Sequence, residues 1–124
     1  MGLARIDHVQ LAMPIGGEDQ ARAFYQDILG LPERAKPGTL AARGGCWFED
    51  GSLKVHLGVD PDFRPARKAH PAFLVDDLAG LIARLAAGGR PIVEDIPIEG
   101  HTRVFTQDPF GNRIELIELV SRQS

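Results

Sequence analysis

The chain has 124 residues, 44% apolar and 25% charged, with a formal charge of −3 at pH 7. That length allows one compact unit or two small fused ones, and the apolar share is enough for a core. The mild charge argues against a general nucleic-acid binder, and no apolar run approaches the ~20 residues of a membrane span. The single cysteine, Cys46, excludes an intrachain disulfide and suits a reducing compartment. The first eight residues reach a charged segment at once and do not read as a signal peptide, so a cytoplasmic protein is expected.

Residues 6–13 read as a strand, with Val9, Leu11 and Met13 on one face and Ile6, His8, Gln10 and Ala12 on the other. Glu18 and Asp19 suit the first turn of a helix. Ala21, Phe24, Tyr25, Ile28 and Leu29 carry it to Gly30 and Pro32, which stop it. Residues 39–43 and 46–49 read as strands. Asp50-Gly51 signals a hairpin, and residues 53–59 return, with His56 on the face opposite Val55 and Leu57. Residues 60–69, with two prolines and the basic Arg64, Arg67 and Lys68, read as a connecting segment.

The same order then recurs. Residues 70–75 form a strand with His70, Ala72 and Leu74 on one face, and 78–87 an alanine- and leucine-rich helix stopped by Gly88-Gly89. Strands follow at 91–96 and 102–107, then the turn Asp108-Pro109-Phe110-Gly111 and a last strand at 112–119. That strand puts Ile114, Leu116 and Glu118 on one face and Arg113, Glu115, Ile117 and Leu119 on the other. Both faces carry apolar residues, so Glu115 is expected inside, where a carboxylate needs a partner.

Each half thus reads strand, helix, strand, strand, strand: module 1 over about residues 4–60 and module 2 over about 69–120. His8 and His70 fall early in the first strand of each half, and His56 and Glu115 in the last. A four-stranded sheet with one helix buries only one face. Two such units can curl their free faces around a shared concavity, with these four side chains inward. The expected fold is α+β: two tandem βαβββ modules whose curved mixed sheets form a cup around a metal.

Each residue also has a plainer reading. Any one of the histidines fits a satisfied strand histidine, and Glu115 fits an ion-pair partner of Arg103 or Arg113. His101, in a Gly-His-Thr turn, reads as an exposed loop residue that could flank a substrate. Arg43 and Arg103 lie at matching places in the two halves. Either could hold a substrate carboxylate or phosphate, or simply face solvent. Cys46, Trp47 and Phe48 read as core or pocket wall, and Cys46 has no base in a recognisable relation to it.

Phe24-Tyr25 followed by Leu29-Gly30-Leu31, the segment from Asp108 to Leu116 and the four ligand positions resemble the vicinal oxygen chelate superfamily. That superfamily includes glyoxalase I, methylmalonyl-CoA epimerase, extradiol dioxygenases, and the fosfomycin and bleomycin resistance proteins. The resemblance covers nearly the whole chain. It implies a divalent metal held by His8, His56, His70 and Glu115, a small-molecule substrate, and a homodimer, with the site built within one chain or across two. This chain departs from bacterial-type glyoxalase I in two places. It has His56 where a carboxylate is usual, and Ala12 where a glutathione-binding arginine is usual. Gln10 replaces a typical threonine of the fosfomycin resistance proteins. Bleomycin-binding members generally lack the metal ligands, and extradiol dioxygenases use only a His, His, Glu subset.

Three imidazoles and a carboxylate suit Zn, Ni, Co, Mn or Fe(II). With neutral imidazoles, such a site would keep a net charge of about +1 and act as a strong Lewis acid. Glu115 would serve as ligand and as proton carrier, with Arg103, Arg43, Trp47 and His101 as substrate contacts. The leading expectation is a metal-dependent lyase or isomerase of glyoxalase type acting on a small oxygenated substrate. The alternatives are an Fe(II) ring-cleaving dioxygenase, a transferase that opens an epoxide with a thiol, and a non-catalytic drug-binding protein. No nucleic-acid or membrane partner is expected.

Overall fold

The computed structural model describes residues 1–120 and comprises two compact units, Met1–Arg64 and Pro65–Ser124. Among the described residues, no helix is long and apolar enough to cross a membrane.

The first unit is a four-stranded mixed sheet in the order β1-β4-β3-β2, with helix on one face. Strand β1 (Val9–Met13) runs parallel to β4 (Leu53–Val59), placing Gln10 beside His56 and Ala12 beside Gly58. Strand β3 (Cys46–Asp50) pairs antiparallel with β4, Trp47 opposite His56, and with the two-residue β2 (Glu33–Arg34). His8 falls just before β1, which begins three residues later than the alternation suggested.

Helix α1 (Glu18–Ala21) continues as a π-helix over Arg22–Ile28, with Leu29 N–H donating to the Phe24 carbonyl at 2.9 Å. The wider turn lets the adjacent Phe24 and Tyr25 both bury against the sheet. Tyr25 stacks on Phe48, with centroids 5.4 Å apart. Residues 39–43, expected as strand, instead include the short helix α2 (Gly38–Ala41). The Pro37 carbonyl accepts from Leu40 and Ala41 N–H and starts a helical turn in an alanine-rich stretch.

The loop into β3 is pinned to α1. A Glu18 side-chain oxygen accepts the Gly45 N–H at 2.9 Å. That hydrogen bond holds the Glu18 carboxyl below its usual range. A depressed folded-state pKa stabilises the fold above the unfolded-state pKa, and the effect is lost as pH falls through the folded value. Glu18→Gln is therefore expected to cost about 1 kcal/mol at neutral pH, discounted for partial exposure. Urea denaturation at a series of pH values should show the gap from the parent chain closing below about pH 4.

The second unit is a three-stranded sheet in the order β5-β7-β6. Strand β5 (Ala72–Leu74) is parallel to β7 (Arg113–Leu119), with Ala72 beside Glu115. Strand β6 (His101–Gln107) is antiparallel to it, with Phe105 opposite Glu115. The register repeats that of the first unit: Gln10, His56 and Trp47 correspond to Ala72, Glu115 and Phe105. The strand expected at 91–96 shrinks to one bridge between Val93 and Phe105, because Pro91 and Pro97 remove ladder donors on either side. His70 likewise precedes its strand, separated from it by Pro71.

Helix α3 (Leu78–Ala87) packs Leu78, Leu81 and Leu85 into a core with Val104, Ile114 and Leu116. Asp77 caps it by accepting from Gly80 N–H. Glu118, on the same face as Ile114 and Leu116, accepts the Leu78 N–H at 2.8 Å. A carboxylate is favoured there by the positive helix terminus.

The turn before β7 is organised by the buried Asp108. Its Oδ1 accepts from Phe110 and Asn112 N–H at 2.9 Å each, and its Oδ2 from Asn112 Nδ2 at 2.8 Å. Asp108→Ala leaves these donors without their acceptor and is expected to cost about 3 kcal/mol. Urea denaturation measures it, and Asp108→Asn should lose less.

Candidate functional site

The candidate residues form two clusters, one on each sheet. In the first unit the His56 ring, 5% exposed, stacks on Trp47 (centroids 4.2 Å apart, 6° between planes) and on His8 (4.3 Å, 22°). The cross-strand register puts Trp47 there. Glu49, two residues further along β3 on the same face, brings Oε2 to 2.7 Å from His56 Nε2. His8 Nδ1 lies 3.0 Å from Asp7 Oδ2, and Asp7 is also 3.8 Å from the Lys54 ammonium.

In the second unit His70 Nδ1 donates to the Lys68 carbonyl at 2.8 Å, and its Nε2 lies 3.0 Å from Glu115 Oε1. Arg103 Nη1 donates to Glu115 Oε2 at 2.9 Å, while its Nη2 donates to the Ile96 carbonyl and lies 3.6 Å from Asp95. Burial pushes the Glu115 carboxyl up, but the hydrogen bonds with His70 and Arg103 and the Arg103 charge outweigh it. The group sits below the usual carboxylate range. Phe105 floors this cluster, with His70 edge-on at 5.1 Å and the Arg113 guanidinium 4.0 Å over its ring.

Each unit thus unites one pair of the expected ligands, His8 with His56 and His70 with Glu115. Among the described residues, no group of three or more His, Cys, Asp or Glu side chains could hold a metal. The chemistry of the pairs nevertheless fits one. A carbonyl can only accept, so His70 Nδ1 carries a proton, and the Nε2 of a neutral ring presents its lone pair to a charged carboxylate oxygen. Two such acceptors 3.0 Å apart need a proton or a cation between them. His8, with Nδ1 on Asp7, is oriented in the same way. An imidazole whose second nitrogen is fixed by a carbonyl or carboxylate is the usual arrangement of a metal-binding histidine.

The ion-pair reading of Glu115 also holds: its arginine partner is Arg103, whereas Arg113 lies over Phe105. Arg103 positions Glu115, and both its terminal nitrogens are engaged. His101 is not a loop residue. It opens β6 and is half-buried, with its N–H bonded to the Ile98 carbonyl. Arg43 is exposed at the mouth of a pocket that Trp47 also lines. Cys46 is fully buried, and that burial pushes its thiol up to about 11, well away from nucleophile chemistry. Sequence reasoning missed Glu49 and Asp7. The hairpin register at Asp50-Gly51 was the available signal for Glu49.

A family model described as the Glyoxalase/Bleomycin resistance protein/Dioxygenase superfamily matches residues 5–116. A lactoylglutathione lyase of Haemophilus influenzae is 35% identical over 127 aligned positions, spanning 89% of this chain and 90% of that one. The crystal structure of a glyoxalase family protein from Bacillus anthracis superimposes with a TM-score of 0.90 at 43% identity, over 96% of this chain and 98% of the other. A fosfomycin resistance protein from Listeria monocytogenes shares the fold at 16% identity, with a TM-score of 0.74, over 99% of this chain and 97% of the other. The repeated strand register, the two imidazole-bearing clusters and these likenesses agree: the chain belongs to the Glyoxalase/Bleomycin resistance protein/Dioxygenase superfamily.

Proposed function

We propose that this chain is a metal-dependent lyase or isomerase of glyoxalase type, with His8, His56, His70 and Glu115 as the ligands of one divalent metal. The four would come from one chain or from two copies in a homodimer. The observation that carries the reading is His70, with Nδ1 fixed on the Lys68 carbonyl and Nε2 facing the Glu115 carboxylate at 3.0 Å. A metal held by these residues would supply Lewis acidity towards the oxygens of the substrate.

The protein's own groups divide the remaining work. Asp7 and the Lys68 carbonyl orient His8 and His70, and Trp47 holds the His56 ring by stacking. Arg103 anchors Glu115 and keeps it ionised. Held between Arg103 and His70, with both carboxylate oxygens engaged, Glu115 suits ligation better than proton transfer. Glu49 is the better proton carrier. It approaches His56 through one oxygen and keeps part of its side chain exposed, so a proton taken from substrate can pass to solvent. It offers a carboxylate beside the position where bacterial-type glyoxalase I has one and this chain has His56.

The lyase class draws on the likeness to the lactoylglutathione lyase. Ala12, where the glutathione-binding arginine is usual, favours a substrate other than a glutathione conjugate. The test is to load the protein separately with Ni, Co, Zn and Fe(II) and supply hemithioacetals of methylglyoxal with several small thiols. Metal-dependent isomerisation supports the reading. Oxygen uptake with catechols in the Fe(II) form alone would replace it with ring cleavage.

A further inference from the structure

Next to the His56 cluster, within the first unit, lies a pocket of about 270 Å³. Its floor is β4 beyond His56, where Gly58 supplies no side chain. A Cβ at Gly58 would come 2.5 Å from Gln10 Nε2, so the absent side chain is what lets the Gln10 amide lie across the strand. Trp47 forms the wall shared with His56, and Leu40 of α2 an apolar side. The rim carries Lys36 and Arg43, and none of the lining residues is acidic.

A chain of net charge −3 therefore has two cations and an amide converging on one small cavity beside an imidazole cluster. Lys36 is held in place through its ammonium, which donates to the Gly44 carbonyl. A carboxylate also stands beside this loop: Glu18 Oε2 accepts the Gly45 N–H, lies close to Gly44, and interacts by charge with Lys36, so Arg43 is the principal anion-binding cation. Arg43 is exposed and lines the pocket, and its guanidinium is the group best matched to bidentate capture of a carboxylate or phosphate.

We propose that this pocket is the anion subsite of the enzyme. It takes the carboxylate or phosphate end of a small substrate whose oxygenated carbons reach past Trp47 towards His56. This names the substrate class, an anionic oxygenated molecule, and rests on the functional reading above. Lys36 and Arg43 bind the charge, the Gln10 amide donates to it, and Trp47 stacks beside the adjoining carbons.

The pocket contains no candidate metal ligand, so it is tested on metal-stripped protein, apart from the fate of the metal reading. Oxalate and inorganic phosphate are titrated in turn, with chloride as the ionic-strength control. The readouts are the fluorescence of Trp47, the chain's one tryptophan, and the amide resonances of Gly44 and Gly58. Saturable changes are expected with at least one anion, and the stronger response separates a carboxylate from a phosphate preference. Arg43→Met and Lys36→Met should each weaken binding roughly tenfold. Arg90→Met, in the second unit, should leave it unchanged. No saturable change with either anion, a response that chloride reproduces, or equal weakening by Arg90→Met would overturn the proposal.

Discussion

Gly45→Ala is expected to destabilise the protein by about 3 kcal/mol, from backbone strain and overpacking together. Gly45 has φ +83°, and an added Cβ would lie 2.1 Å from the Leu57 carbonyl oxygen. That oxygen belongs to β4, so the clash can be relieved only by separating the loop from the strand. The movement would also disturb the Gly45 N–H bond to Glu18 and the Cys46–Leu57 pairing that sets the register of Trp47 on His56. Urea denaturation measures the loss. Gly51→Ala is the comparison: it also has positive φ, +59°, but no atom lies within 4 Å of its added Cβ, so only the strain should remain.

Glu49→Gln is expected to lower turnover by about a hundredfold or more while leaving metal content unchanged, the size and pattern of losing a proton carrier. The amide keeps the shape and can still hydrogen-bond His56, but it cannot take a proton. Steady-state kinetics on the metal-loaded variant, with metal content measured on the same sample, tests this. Loss of metal together with activity would make Glu49 a ligand instead. Unchanged turnover would return proton transfer to Glu115.

Much of this arrangement is legible in the sequence. The alternation over residues 53–59 and 112–119 marked β4 and β7 and put Val55 with Leu57, and Ile114 with Leu116, on one strand face each; all four prove buried. The repeat placed His56 and Glu115 at corresponding positions, and the paired sheets repeat that register. What escaped was set by interactions that periodicity does not carry. Residues 39–43 alternate weakly, and Pro37 turns them into helix α2. Pro91 and Pro97 reduce a strand-like segment to the Val93 bridge. Glu118 shares a face with Ile114 and Leu116, and the spacing gave no sign that its partner is the N-terminus of α3.

At the site, residue identity was easier to read than partnership. His8, His56, His70 and Glu115 stood out because histidine is scarce in this chain and the spacing recurs. Glu49 did not, because its approach to His56 is diagonal across a hairpin. The loop residues Gly51 and Ser52 fix Trp47 opposite His56, and only then does Glu49 fall beside the imidazole. The Arg103 contact with Glu115 spans 12 residues and crosses strands in the same way.

The central claim is that the two clusters supply the ligands of one metal. Elemental analysis of untagged protein reconstituted with Zn, Ni, Co, Mn or Fe(II), then freed of excess, tests it most directly, with His56→Ala and His70→Ala in parallel. About one divalent metal per chain is expected, with at least a tenfold loss of affinity in both variants. No retained metal, or metal retained equally by both variants, would contradict it and leave His70 and Arg103 as the ion-pair partners that Glu115 requires.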